Sequence, residues 1–141
     1  MTTEPKNAKG TVQIIFDSNA FFVPLKFKID VFDELRAHLN MNFEAVLLSP
    51  ILRELEKLAN ASGPKHRKEG AYALRLAKKC KLIDVGTQFS GSPDDVIAKA
   101  AEEWNSMVFT NDRQLRKRLR NINVPVIYVR QKSRLEIEGR T

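Results

Sequence analysis

Residues 12–19, VQIIFDSN, join a short apolar run to a group of small polar residues. A run that is continuously apolar rather than alternating is typical of a strand inside a parallel sheet covered on both faces. Asp17 follows this run directly, so we expect it at the carboxyl end of the strand. In open parallel α/β sheets, ligand sites form at that edge.

Four further apolar runs alternate with longer stretches of helical period. This alternation indicates successive βαβ units and one α/β domain whose sheet is mostly parallel. The predicted strands are 12–16, 45–48, 82–85, 107–110 and 126–129, and the predicted helices span about 31–40, 50–60, 66–80, 93–105 and 112–120.

Polar sequence flanks this domain. We expect residues 1–10 to be disordered, residues 11–130 to form the domain and residues 131–141 to form a basic tail. The stretch 61–70, ASGPKHRKEG, is expected to be a mobile polar loop. Asp30, Ser49 and Ser92 precede predicted helices and are expected to be N-caps, the two serines with proline directly after them.

The net charge of +7 lies entirely in the last fifth of the 141 residues. Residues 1–112 hold 15 basic and 15 acidic residues, whereas residues 113–141 hold nine basic and two acidic ones. A segmental basic excess favours a polyanionic partner, most often nucleic acid. A solvated face is the alternative.

One cysteine, Cys80, and two histidines limit the available chemistry. They are too few for a thiolate or imidazole zinc cage, so any metal must bind to oxygen ligands. We expect Cys80 to be structural. The single cysteine favours a reducing compartment, and the sequence has neither a signal peptide nor an apolar run near the ~20 residues of a membrane span, so the expected location is cytoplasmic.

Acidic residues follow four of the five predicted strands. Taken singly, each could be a helix cap or part of a surface ion pair. Together their carboxylates would repel one another, and Mg²⁺ or Mn²⁺ would relieve that repulsion. Such sites orient water and stabilise an in-line phosphodiester displacement. The acids are Asp17, Glu54, the adjacent pair Asp94 and Asp95, and Asp112.

The order of these acids and their local motifs resemble the PIN-domain ribonucleases over roughly residues 12–129. The matching motifs are IIFDSN at 14–19, DDVIA at 94–98 and TND at 110–112. In the family's register the second motif selects Asp94 rather than Asp95. The resemblance implies a three-layer α/β/α sandwich around a sheet that we expect to have five strands. It also implies one or two Mg²⁺ or Mn²⁺ ions and endonucleolytic cleavage of RNA.

The resemblance implies roles for individual residues. Asp17, Asp94 and Asp112 would be the principal metal ligands, Glu54 would complete the site or orient the attacking water, and Asp95 would be a ligand of second rank. Hydrogen bonds that orient these carboxylates are expected from Ser18, Asn19, Thr110 and Asn111.

The basic helix after Asp112 is the predicted RNA-binding surface, through Arg113, Arg116, Lys117 and Arg120. The basic stretch 65–68 could be a second contact or a solvated loop. Phe21, Phe22 and Phe27 could stack on bases, with burial in the core as the alternative. Trp104 is expected to pack in the core.

Three functional alternatives stay open. Residues 124–139, VPVIYVRQKSRLEIEG, resemble archaeal relatives of the small-subunit processome nuclease, which favours processing of precursor ribosomal RNA. VapC-type toxin ribonucleases share the acidic set and pair with an antitoxin. A non-catalytic RNA-binding scaffold is the third reading, and a homodimer is expected by family resemblance alone. Haloacid dehalogenase, receiver and dinucleotide-binding motifs are absent.

Overall fold

A computed structural model of the chain describes residues 11–61, 63–131 and 134–139. The expectation for residues 1–10 lies outside the described residues. The described elements are β1 (Thr11–Phe16), a 3₁₀ helix (Ser18–Phe22), α1 (Val23–Phe27), α2 (Val31–Leu39), β2 (Asn42–Leu48), α3 (Ser49–Ala59), α4 (Pro64–Ala77), β3 (Lys81–Ile83), α5 (Pro93–Trp104), β4 (Met107–Phe109), α6 (Arg113–Asn121), β5 (Val126–Arg130) and β6 (Arg134–Glu138).

The strands form one sheet in the order β3-β2-β1-β4-β5-β6, with β1 to β5 parallel and β6 antiparallel to β5. Because crossovers between parallel strands are right-handed, this strand order places α2, α3 and α4 on one face of the sheet and α5 and α6 on the other. The predicted α/β sandwich with a mostly parallel sheet is confirmed. The chain moves outward from β1 to β3 and then returns to β4, so the topological switch point lies between the carboxyl ends of β1 and β4.

An aromatic cluster packs beneath this switch point. The ring of Phe16 lies 5.4, 5.8 and 5.3 Å, centroid to centroid, from the rings of Phe21, Phe32 and Phe109. Burying each such ring stabilises the fold by roughly 1.5–3 kcal/mol. Because Asp17 and Thr110 follow Phe16 and Phe109 directly, this cluster fixes the two strand ends that carry them.

Helices α3 and α4 pack closely against each other at Gly70. This glycine is buried, and a Cβ atom there would lie 2.5 Å from the backbone nitrogen of Ala59. Real Cβ atoms essentially never come so close to a neighbouring backbone. The glycine therefore sets the position of α3, the helix that carries Glu54.

The sheet has six strands, so the prediction of five was wrong. The sixth strand, β6, lies in the segment expected to be a basic tail and extends the sheet past the expected boundary at 130. It is an edge strand in which Leu135 is buried while Glu136 and Glu138 are half-buried. The strand has only five residues, and the three that alternate with Leu135 and Ile137 are charged. Its sequence therefore lacks the continuous apolar run that marks the parallel strands.

Much of the stretch expected to be a loop is helical. Helix α4 begins at Pro64, so the basic residues 65–68 form its exposed first turn. Proline is favoured at this position because its missing N–H would have no helical partner. Residues 18–27, for which the sequence predicts no element, form the 3₁₀ helix and α1.

Two of the three predicted N-caps are confirmed. The side chains of Asp30 and Ser92 each accept a hydrogen bond from the backbone N–H three residues later. The prediction for Ser49 was wrong, since this residue is the first of α3. Its Oγ accepts a 3.1 Å hydrogen bond from the backbone N–H of Val85 and so joins α3 to the segment after β3.

Several aromatic residues and the cysteine pack in the core. Phe21 and Trp104 are buried, and Phe22 and Phe27 are partly buried against the core. Burial raises the pKa of the Cys80 thiol to about 12, so the thiol stays neutral. In the part of the chain that the structure describes, no helix is both long enough and apolar enough to cross a membrane.

Candidate active site

The four predicted carboxylates come from four elements at the carboxyl edge of the sheet. Asp17 follows β1, Glu54 lies in α3, Asp94 lies in the first turn of α5 and Asp112 caps α6. The charges of Asp94 and Asp112 act on Asp17, and those of Asp17 and Asp94 act on Glu54. The fold thus brings together residues far apart in sequence.

Asp17 is buried and held by three hydrogen bonds. Its Oδ2 accepts a 2.7 Å bond from the hydroxyl of Thr110 and a 3.2 Å bond from the side-chain amide of Asn19. Its Oδ1 accepts a 2.8 Å bond from the backbone N–H of Ser18. The carboxylate orientation is therefore fixed by its neighbours before any ligand binds.

Thr110, Asn19 and Asn111 form one hydrogen-bonded network across three strand ends. The Thr110 hydroxyl oxygen accepts from the backbone N–H of Asp112 at 3.1 Å. Asn19 Oδ1 accepts from the backbone N–H of Asn111 at 3.0 Å, and Asn111 Oδ1 accepts from that of Val129 at 2.9 Å. The network links Asp17 to Asp112 and joins both to β5.

The side chain of Asp112 both caps a helix and contributes charge to the acidic cluster. Its Oδ1 accepts hydrogen bonds from the backbone N–H groups of Gln114 at 2.9 Å and Leu115 at 3.1 Å, which makes it the N-cap of α6. Its negative charge also acts on Asp17 and Asp94. The cap thereby fixes an acidic group of the cluster on the helix that carries the basic surface.

Burial and mutual repulsion raise the pKa values of three of the carboxyl groups. Burial is the main cause for Asp17, Glu54 and Asp94. The neighbouring acid that raises the pKa most is Asp94 for Asp17, Asp17 for Glu54 and Asp112 for Asp94. Hydrogen bonds from Thr110 and Ser18 oppose the rise in the pKa of Asp17. These donors therefore partly stabilise the negative charge of its carboxylate.

Asp94 and Asp95 are adjacent in sequence but lie in different surroundings. The Oδ1 of Asp95 accepts a 2.6 Å bond from Arg118 Nη1, and its Oδ2 accepts a 2.9 Å bond from the backbone N–H of Ser92. The bond from Arg118 and those with Ser92 lower the pKa of Asp95 to about 2. Asp95 therefore serves the helix cap and an ion pair, whereas Asp94 faces the charge of Asp112.

The donor chemistry of the cluster fits a hard divalent cation. Its members are carboxylate oxygen ligands, and the charge of neighbouring acids contributes, after burial, to the raised pKa values of Asp17, Glu54 and Asp94. Among the described residues, no three Asp, Glu, His or Cys side chains are grouped tightly enough to hold an ion as they stand. Mg²⁺ keeps several of its waters and is usually bound by one or two carboxylates, so the donors fit an ion held partly through water.

The four residues predicted to bind RNA differ in their surroundings. The guanidinium of Arg116 lies 3.6 Å from the ring centroid of Tyr128, and both Arg116 and Arg120 form ion pairs with Glu138. Arg113 and Lys117 are exposed. Two of the four cations are thus already engaged by the last two strands, β5 and β6.

A cleft beside Glu54 is lined by residues for which the sequence predicts no function. It has a volume of about 490 Å³, and its lining includes Arg53, Lys57 and Phe89. Lys57 is close enough to lower the pKa of Glu54. Arg53 and Lys57 are four residues apart on α3, and this spacing is the sequence signal for a pair of basic side chains next to Glu54.

Residues 14–132, most of the chain, match the family model described as the PIN like domain. The chain therefore belongs to the PIN-like domain family, and the resemblance inferred from the sequence motifs is confirmed.

Three known proteins are similar to the chain over most of their length. Ribonuclease VapC4 of Methanocaldococcus jannaschii is 37% identical over 129 residues, which cover 90% of this chain and 97% of that protein. Ribonuclease VapC9 of Archaeoglobus fulgidus is 27% identical over 125 residues, 88% of this chain and 87% of that protein. The solved PIN domain endonuclease Utp24 is 28% identical, with a TM-score of 0.75 and 92% of each chain covered.

Proposed function

We propose that this protein is a Mg²⁺- or Mn²⁺-dependent endoribonuclease that cleaves RNA phosphodiester bonds at the four-carboxylate cluster. The observation that carries the proposal is the convergence of Asp17, Glu54, Asp94 and Asp112 from four elements at the switch point, where burial and repulsion raise the pKa of three of them. The two relatives named ribonucleases support the same chemistry.

Asp17, Asp94 and Asp112 are the proposed principal ligands of the cation. Glu54 completes the site or orients the attacking water, helped by the hydrogen bond between Glu54 and the side chain of Ser18. Asp95 ranks below Asp94, because its carboxylate is already bound by Arg118 and Ser92. When bound, the cation would lower the pKa of water and stabilise the charge that develops on the phosphate.

The RNA backbone is expected to approach along two groups of basic residues near the cluster. One group is Arg113, Arg116, Lys117 and Arg120 of α6, whose first residue follows Asp112. The other is Arg53 and Lys57 of α3, which line a cleft together with Glu54. Such contacts give salt-dependent affinity without reading the base sequence.

Cleavage of labelled single-stranded RNA with Mn²⁺ or Mg²⁺ tests the proposal. We expect wild type and Glu102→Gln, an exposed charge-matched control on α5, to cleave, and Asp17→Asn and Asp94→Asn to lose cleavage at least 100-fold. Equal activity in all four proteins would exclude this site as the catalytic centre. RNA binding without cleavage under either metal would favour the scaffold function.

Two biological settings are supported by specific observations. The 37% identity to VapC4 favours a toxin-type ribonuclease, for which we propose an antitoxin protein as partner. The resemblance of residues 124–139 to the small-subunit processome nuclease favours processing of precursor ribosomal RNA, and the likeness to the PIN domain endonuclease Utp24 is compatible with it. We infer a cytoplasmic location in either setting, and the homodimer expected from the family stays a prediction that sedimentation can test.

Mapping RNA ends after controlled expression separates the two settings. New ends in precursor ribosomal RNA, with normal growth, support the processing function. New ends in mature RNA, with growth arrest, support the toxin function. Asp17→Asn is the control in both cases, since its ends and growth should match those of cells without the protein.

A further inference from the structure

The carboxylate of Glu138, in β6, lies between two arginines of α6. Its Oε1 is 3.6 Å from Arg116 Nη2, and its Oε2 is 3.6 Å from Arg120 Nη1. The two arginines are four residues apart and therefore neighbours on one helix face. One carboxylate thus faces both guanidinium groups.

These contacts are ion pairs without good hydrogen bonds. Both distances exceed the usual N–H···O range of about 2.7–3.2 Å. Among the described residues, Glu138 Oε1 and Arg116 Nε are both buried without a hydrogen-bond partner. A buried polar atom left unpaired is costly, so an anion that hydrogen-bonds better could replace Glu138 at these arginines.

Tyr128 holds Arg116 in place for such an exchange. The guanidinium lies 3.6 Å from the Tyr128 ring centroid in a cation–π contact, which restrains its position. The surrounding surface pocket has a volume of about 390 Å³, and Arg113, Lys117 and Glu138 contribute to its lining. A restrained guanidinium beside further cations suits a phosphate group, because arginine N–H groups form charge-assisted hydrogen bonds with phosphate oxygens.

We propose that Glu138 is an internal competitor of RNA: it occupies the Arg116–Arg120 pair in the free protein, and a phosphodiester group of the bound RNA takes its place. This inference rests on the proposed ribonuclease function and adds a control on its substrate binding. At 1.5 Å per helical residue, Arg116 and Arg120 lie about 6 and 12 Å along α6 from Asp112. An RNA strand held there lies about one to two helical turns from Asp112 of the carboxylate cluster.

The consequence is a built-in penalty on weak RNA binding. An RNA that contacts α6 alone must displace Glu138 with little compensation. An RNA that also reaches the carboxylate cluster makes the further interactions that offset the displacement. Glu138 therefore favours strands that bind productively.

Binding of a fluorescent single-stranded RNA, measured by anisotropy in EDTA over a range of salt concentrations, tests the inference. We expect Glu138→Gln to tighten binding roughly threefold to tenfold at low salt. The matched control is Glu136→Gln, which removes the same charge from the same strand but pairs with Arg130 at 3.5 Å. That variant should change the affinity less than twofold.

A double-mutant cycle identifies the route of the effect. If Glu138 acts through the arginines, the tighter binding caused by Glu138→Gln should disappear in an Arg116→Gln, Arg120→Gln background. Equal effects of Glu138→Gln and Glu136→Gln, weaker binding by Glu138→Gln, or no RNA binding by either protein would overturn the inference.

A measurement on the wild-type chain keeps the test independent of variant folding. The carboxyl ¹³C resonance of Glu138 should shift on titration with RNA in EDTA, while that of Glu136 should not. A Glu138 resonance that stays unmoved at saturating RNA overturns the inference. Because binding is read without metal or cleavage, a failure here leaves the nuclease proposal intact. Likewise, if the protein does not cleave RNA, the binding measurements still show whether RNA displaces Glu138.

Discussion

The hydroxyl of Thr110 donates a 2.7 Å hydrogen bond to Oδ2 of Asp17, joining residues 93 apart in sequence at the adjacent ends of β4 and β1. The same oxygen of Thr110 accepts from the backbone N–H of Asp112. One hydroxyl group therefore orients one carboxylate of the cluster and holds the backbone of another. Thr110 therefore connects the two acidic residues that lie at the switch point, Asp17 and Asp112.

Thr110→Val removes this hydroxyl while keeping the shape of the side chain. We expect a loss of about 1–3 kcal/mol in the free energy of unfolding, because Asp17 loses a buried hydrogen bond and the Asp112 N–H loses a part-buried one. We also expect metal-dependent cleavage to fall about 10- to 100-fold, the usual effect of removing a group that orients a metal ligand. Denaturant unfolding and cleavage at several Mn²⁺ concentrations measure both effects. Thr110→Ser should retain stability and cleavage, and unchanged cleavage by Thr110→Val would contradict the proposed function of the hydroxyl.

Asp94→Asn and Asp95→Asn form a pair that separates catalysis from stability. Asp94 faces Asp112, so its neutralisation should abolish cleavage without lowering stability. Asp95 is bound to Arg118 and to the Ser92 cap, so its neutralisation should lower the free energy of unfolding. Cleavage should fall less than tenfold. Cleavage assays and denaturant unfolding of both variants check this, and the reverse pattern would show that Asp95 is the ligand.

The raised pKa values of Asp17, Glu54 and Asp94 predict how the metal-free protein responds to pH. A carboxyl group whose pKa is higher in the folded state than in the unfolded state loses its proton at a cost to folding. The stability that it contributes when protonated is therefore lost as pH rises from about 4 through the raised pKa. Asp95 acts oppositely, because its pKa of about 2 means that its contribution is lost as pH falls from about 4 to about 2.

Thermal unfolding between pH 4 and 8, with EDTA or with Mn²⁺, measures this dependence. We expect Tm to fall with rising pH in EDTA and to recover with Mn²⁺ above pH 6, since the cation binds the ionised carboxylates of the folded state. Asp17→Asn should show a smaller fall and a smaller recovery. Identical curves for wild type and Asp17→Asn would show that this carboxyl does not contribute.

Gly70→Ala tests the close packing that positions α3. Without steric conflict this change would stabilise a helix by about 1 kcal/mol. A Cβ 2.5 Å from the Ala59 nitrogen forces the helices apart instead, so we expect a net loss of about 1–3 kcal/mol in the free energy of unfolding.

Ala71→Gly, at the exposed neighbouring position, is the control for Gly70→Ala. It measures helix propensity alone and should cost about 1 kcal/mol. Urea unfolding of both variants gives the comparison. Stabilisation by Gly70→Ala would show that α3 and α4 are free to separate at this point.

The sequence by itself determined the α/β class, the five parallel strands and the set of acidic residues at their ends. These follow from local patterns, because a buried parallel strand is a continuous apolar run and its carboxyl end is where polar residues begin. The family follows from the same residues. Asp17, Glu54, Asp94 and Asp112 are visible in the sequence because each stands beside such a run or in the helix after it.

Only the tertiary structure decided which charges face one another. Nothing in the sequence indicates that Glu138 meets Arg116 and Arg120, because β6 must first pair antiparallel with β5. The sequence also does not show that Asp94 and Asp95 have different contacts. The ion pair between Asp95 and Arg118 joins α5 to α6 and exists only in the folded protein. Electrostatic interactions depend on distance and burial in space, and those are set by packing between elements rather than by the pattern within any one of them.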